Sequence, residues 1–126
     1  MKHYHGNIEK QTLDNTNFRQ VLYTGKHCQL VVMSLKPGEE IGAEVHANVD
    51  QFFRLEQGQA KFIIDGQEFQ VLADEAVVVP AGAQHNVLNT GSDELKLYTV
   101  YSPPNHPDGT IHATKAEADQ YEESHH

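Results

Sequence analysis

From Phe18 to Tyr101 this chain carries almost no helical periodicity. Instead, short runs rich in β-branched and aromatic residues recur about every ten residues, separated by turn-forming residues. Nine such runs are expected as strands: Phe18–Thr24, Leu30–Leu35, Glu44–Ala47, Phe52–Glu56, Ala60–Ile64, Glu68–Leu72, Ala76–Val79, His85–Asn89 and Leu95–Tyr101. The breaks between them have physical causes. Lys36-Pro37-Gly38 stops a strand because proline has no ladder donor. Asp65-Gly66 lies between two alternating runs, where a type I′ turn needs positive φ twice. Gln57-Gly58 and Asn89-Thr90-Gly91 read as further turns. Strands in succession with no helix between them imply an antiparallel all-β layered or closed sheet.

The ends differ from this middle. Residues 1–17 are polar and are read as irregular, with room for one edge strand. Beyond Tyr101, the run Ser102-Pro103-Pro104-Asn105-His106-Pro107-Asp108-Gly109 is a loop. Thr114-Lys115-Ala116-Glu117 has capping-box spacing and opens a short helix, whose acidic stretch Glu117–Glu123 reads as a solvated face. Ser124-His125-His126 reads as a frayed tail or tag stub. With 126 residues, the chain is read as a single domain, 1–126, with a barrel core at about 18–101 and an extension at 102–126. A chain of that size can bury roughly two-thirds of its unfolded surface.

Charge narrows the partners. Nine Lys and Arg against eighteen Asp and Glu give a net charge of −9, which repels phosphate backbones and anionic lipid. Nucleic acid and membrane surfaces are therefore not expected as partners. The longest apolar runs, Leu30–Met33 and Ala76–Val79, are far short of the ~18 residues of a membrane span. No apolar stretch follows the first residues as in a secretory signal, and the one cysteine, Cys28, forbids an internal disulfide. A cytoplasmic location is the expectation. Cys28 itself reads as a small core or edge residue.

Histidine is the unusual component, with nine copies. Glu44 and His46 are two apart on a strand and so share a face. Gln51 and Phe53 share a face on the next run, which leaves Phe52 on the other. Pro80-Ala81-Gly82-Ala83-Gln84-His85 makes a tight turn that delivers a second histidine to a strand start. Two imidazoles and a carboxylate with an amide nearby form a donor set for one divalent ion: zinc, iron, manganese or nickel. Burying these groups together with no cation to satisfy them would be costly. Gln51 is either a ligand or an orienting group. His106 and His112 lie just past the strands, where they cap a mouth or serve as loop residues. Met1-Lys2-His3 has a spacing that can wrap Cu(II) or Ni(II), although a polar terminus is more simply unstructured.

These residues resemble the motifs of a small single-domain cupin, of the kind loosely labelled mannose-6-phosphate isomerase-like. The first motif of that family runs here from Pro37-Gly38 through Glu44, His46 and Gln51 to Gly58. The second runs from Asp74, which stands for a glycine, through Pro80, Gly82 and His85 to Asn89. The fifteen residues Gln59–Ala73 between them match the short spacing of microbial members. The resemblance covers about residues 30–101 and implies an antiparallel jelly-roll β-barrel with a C-terminal loop and short helix. It also implies that Glu44, His46, Gln51 and His85 occupy the metal-ligand positions. Glu44 stands where the family has its first metal histidine, and Gln51 where it has its metal glutamate. Formal ligand charge stays at −1, so a divalent ion would leave the site at +1. In ligand composition the set is similar to the mannose-6-phosphate isomerases of the same superfamily, which hold zinc with one Gln, two His and one Glu.

Three functions are open at this point. The first is a metal-dependent isomerase, epimerase or lyase acting on a small hydroxy-carbonyl or sugar-like compound. A phosphorylated substrate fits it poorly, since the only arginines are Arg19 and Arg54 and Arg54 has the wrong parity for Gln51's face. Tyr98, Tyr101 and His106 are candidate proton carriers. The second is a non-haem Fe(II) dioxygenase with Glu44, His46 and His85 as its triad. The third is a non-enzymatic barrel that binds a small ligand. A homodimer is expected from the resemblance and from the exposed edge strand of so small a barrel.

Overall fold

Alternation of inward and outward side chains is visible strand by strand in the computed structural model, which describes residues 1–124. The ten strands are β1 (Arg19–Thr24), β2 (Gln29–Leu35), β3 (Glu44–Val45), β4 (Asp50–Gln57), β5 (Gln59–Ile64), β6 (Gln67–Leu72), β7 (Ala76–Val79), β8 (Gln84–Asn89), β9 (Leu95–Ser102) and β10 (Ile111–His112). They form two antiparallel sheets, ordered β10-β1-β2-β9-β4-β7 and β3-β8-β5-β6. This is the expected all-β jelly roll. All nine sequence-predicted strands are present, with ends shifted by a few residues at most. Asp65 and Gly66 have φ of 49° and 82°, the double left-handed turn that joins β5 to β6.

Between the sheets lies a core built from the inward positions of both. Val31, Met33 and Leu35 of β2, Phe53 and Leu55 of β4, and Leu95 and Leu97 of β9 face Ala60, Phe62 and Val87. Val77 and Val79 are buried while Val78 between them is exposed, the period-two pattern of a strand with one face on the core.

Residues 1–17 depart from the irregular reading. A two-turn helix, α1 (Ile8–Asp14), starts at Asn7, whose side chain accepts from the Lys10 amide. It packs on β9, β4 and β2. That cover explains why β2 is buried on both faces: Val32 and Ser34 look outward yet are almost inaccessible. Seven residues with a buried Thr12 carry too little apolar periodicity to be read as a helix.

The C-terminal extension contains more than the expected loop. Ile111–His112 forms β10, which pairs with β1 through Arg19↔His112 and Gln20↔Ile111. Helix α2 (Lys115–Ser124) then follows as predicted. Thr114 Oγ1 accepts from the Glu117 amide at 3.1 Å, and the Glu117 carboxylate accepts from the Ala113 amide at 2.8 Å. Thr114→Ala should therefore cost about 1 kcal/mol in urea denaturation. The tail reading at Ser124-His125-His126 extends, at His125 and His126, outside the described residues. Cys28 is exposed in the turn between β1 and β2, not in the core. No helix among the described residues is long and apolar enough to cross a membrane.

Candidate metal centre

Strand pairing brings the predicted donors together. Glu44 on β3 stands opposite His85 on β8. His46, just beyond β3, has Nε2 at 3.3 Å from Glu44 Oε2. Val45 between them is exposed, so the shared face of Glu44 and His46 is the inward one, as alternation requires. The His46 and His85 ring centroids are 5.3 Å apart. Gln51 on β4 lies opposite Tyr101 of β9 in the register, and the His46 ring packs edge-on to that tyrosine at 5.9 Å. Phe53 forms the floor beneath His85, at 6.3 Å, while Phe52 packs on Tyr98 on the outer face. Tyr98 is thereby removed from the site. Arg54 is also outside, paired with Glu56 and Asp74. Asp74 has φ of 72°, a left-handed position that aspartate tolerates in place of glycine.

The electrostatics follow from burial and neighbours. His85 is buried, and burial holds its imidazole below the usual value, partly offset by the Ala83 carbonyl and Glu44. Its Nδ1 lies 3.3 Å from the Ala83 carbonyl oxygen. A carbonyl only accepts, so Nδ1 carries the proton and Nε2 keeps its lone pair. Burial alone would raise the Glu44 carboxyl, but His46, Arg19 and His85 outweigh it and hold the group below its ordinary range. Glu44 is therefore a carboxylate at neutral pH.

One buried atom at this centre, Gln51 Oε1, has no hydrogen-bond partner, while His46 Nε2 has only the Glu44 carboxylate beside it at 3.3 Å. Gln51 Nε2 donates to Thr99 Oγ1 at 3.0 Å, which fixes the amide and leaves its oxygen free. Unpaired buried acceptors cost roughly 1–3 kcal/mol each. Among the described residues, no three His, Cys, Asp or Glu side chains are grouped so that they could hold a metal as they stand. The fit is one of donor chemistry: a carboxylate, two imidazoles and an unsatisfied amide oxygen suit a borderline divalent ion. Glu44, His46, Gln51 and His85 are the residues that would hold it.

Beside these donors opens a cavity of about 560 Å³. Its wall includes Glu44 and His46, but also Arg19 from β1, His106 from the 102–110 loop, and Lys115, Asp119 and Glu122 from α2. Part of the acidic helix face is thus cavity wall and not purely solvated surface. His106 shares a 3.1 Å hydrogen bond with the Tyr101 hydroxyl through Nε2. Burial and the nearby Arg19 push the His106 imidazole down to about 3, so it is neutral. Burial likewise raises the Tyr101 phenol far above its ordinary value. His112 sits against Arg19, not at the donors. Arg19 is the residue that sequence reasoning passed over. Its signal was strand parity: it shares a face with buried Val21.

Comparison with known proteins agrees with this geometry. Residues 31–101 match the Cupin domain family. The uncharacterized protein YrkC of Bacillus subtilis (strain 168) is 54% identical over 118 residues, which cover 89% of this chain and 63% of YrkC. The chain thus spans less than two-thirds of that relative. The uncharacterized protein L612 of Acanthamoeba polyphaga mimivirus is 44% identical over 110 residues, covering 83% of this chain and 68% of L612. The crystal structure of BH2720 from Bacillus halodurans superposes with a TM-score of 0.92 at 43% identity, covering 94% of this chain and 95% of that one.

Proposed function

This chain belongs to the cupin family, and from that premise we propose that it binds one divalent ion and moves a proton on a small hydroxy-carbonyl compound. The reaction class is isomerisation, epimerisation or elimination. The observation that supports it is the convergence of Glu44, His46 and His85 with the unsatisfied Gln51 oxygen at the edge of a cavity. A bound divalent ion would supply Lewis acidity toward a carbonyl or hydroxyl oxygen. The protein's own groups do the rest. Gln51, held by Thr99, keeps its oxygen aimed and fixed. The Tyr101–His106 pair is neutral on both sides, so it can hold a substrate hydroxyl without introducing charge. Phe18 and Ile41 give the cavity wall an apolar part.

Elemental analysis of protein purified without chelator tests this directly. About one metal per chain is expected in the parent. None is expected in a folded Glu44→Ala, His46→Ala, His85→Ala triple variant. Zinc, nickel or manganese would direct assays to isomerases and lyases. A parent that is empty and takes up no added divalent metal would overturn the proposal and leave a ligand-binding barrel. A second reading, a non-haem Fe(II) dioxygenase, takes Glu44, His46 and His85 as a set of two histidines and one carboxylate, with the free Gln51 oxygen beside an open position. Iron in the analysis, with oxygen uptake on a bound substrate, would select it.

A further inference from the structure

Charged groups line the cavity from three elements, and all but one have an evident counterpart. Lys115 Nζ donates to Asp119 Oδ1 at 2.8 Å and to the Ile41 carbonyl at 3.0 Å, so its charge is matched. Glu44 lies against His46. Glu122 acts electrostatically on His112. Arg19 is different. It is 5% exposed, its Nε has no hydrogen-bond partner, and no carboxylate lies within 4.0 Å of it among the described residues. Its contacts are the neutral Nδ1 of His112, to which Nη1 donates at 3.5 Å, and the Phe18 ring at 5.4 Å. A buried guanidinium with no anion in contact is costly, and it is stable when an anion completes it.

We infer that Arg19 is the anchor for the carboxylate of a small organic acid, which makes hydroxy or keto acids the substrate class of this site. The inference rests on the proposed function, because the other end of such an acid would reach Glu44 and His46 on the same cavity wall, with His85 paired behind Glu44. A single guanidinium takes a carboxylate through paired N–H groups. One uncommitted cation matches a monoanion. A phosphate dianion would need a second, and among the described residues the other cation on the wall, Lys115, is already held by Asp119. This gives Arg19 a role that the sequence left unassigned, and keeps the conclusion that phosphate is disfavoured.

Calorimetric titration with glycolate, with ethylene glycol as its neutral counterpart, and with inorganic phosphate tests the inference. Charge-assisted hydrogen bonding predicts glycolate binding about tenfold or more tighter than ethylene glycol. Arg19→Gln should erase that preference and Arg19→Lys should keep part of it. Because a buried arginine variant can misfold, a second measurement uses the unaltered protein. Its two arginines give two Nε–H signals in a nitrogen-15 correlation spectrum. Glycolate should shift that of Arg19 and leave that of Arg54, already ion-paired, in place. Equal binding of glycolate and ethylene glycol, tightest binding of phosphate, or an unmoved Arg19 signal would each overturn it. Both measurements are made on metal-free and on manganese-supplemented protein. A glycolate response at Arg19 in a chain that takes up no metal sustains the anchor and removes the metal. Metal uptake with glycolate indifferent to Arg19 does the reverse.

Discussion

Between pH 6.5 and about 4.5, the unfolding free energy of the parent should fall more steeply than that of a His106→Gln variant. The difference should approach 1.4 kcal/mol per pH unit as an upper limit. The cause is the burial of His106 beside Arg19, which holds the folded imidazole at about 3. The unfolded chain binds that proton near the ordinary histidine value, so acid favours unfolding. The stability is fully present above pH 6.5 and is lost progressively as pH falls toward 3. His106 keeps some solvent contact, which reduces the effect from its limit. Glutamine retains a hydrogen-bonding group for Tyr101 but cannot titrate. His85 and His112, also held low by burial, contribute in the same direction in both proteins. Glu44, whose folded carboxyl is lowered, adds its loss only below the ordinary carboxylate range. Urea denaturation at half-unit steps of pH reads the two slopes, and parallel profiles would refute the burial argument.

What the sequence disclosed and what it hid divide along the range of the interactions. Alternation is local, so the β-strands and the inward pairing of Glu44 with His46 were legible from spacing alone. Turn chemistry is local too, which is why Asp65-Gly66 and the Thr114 cap could be read. The inward placing of His85 and Gln51, the candidate donors, was legible because strand parity and the turn at Pro80-Ala81-Gly82 fix their directions. Arg19 was missed for the opposite reason. Its place on the cavity wall depends on β10 and α2 folding back across more than ninety residues of sequence, from His112 to β1. Two residues of strand carry no periodic signal. His106 was read as a mouth cap, a loop residue or a candidate proton carrier with nothing to choose among them, since its contact with Tyr101 depends on how the proline-rich segment turns. Helix α1 is two turns held by tertiary packing on β9, β4 and β2, so propensity does not announce it.

The barrel that holds the donors has one packing element whose removal should cost most. Phe62 on β5 is fully buried. Its ring meets Phe53 edge-on at 5.1 Å and 85°, and stacks with Phe69 at 6.0 Å and 24°. Phe62→Ala should lose about 3–5 kcal/mol, the sum of lost transfer free energy and an incompletely collapsed cavity. Against the ~5–15 kcal/mol total of a typical domain, that is a large share. Phe62→Leu keeps most of the volume and should cost less than about 1.5 kcal/mol. The two variants separate packing from mere hydrophobicity, since both keep an apolar residue at the position. Phe53 leans on Phe62 from one side and on His85 from the other. A cavity at Phe62 should therefore loosen the floor under His85. In a sample still folded, this would lower divalent-metal affinity in the alanine variant more than in the leucine one. Equal denaturation midpoints for the two variants would show that the aromatic cluster is not what holds the sheets in register.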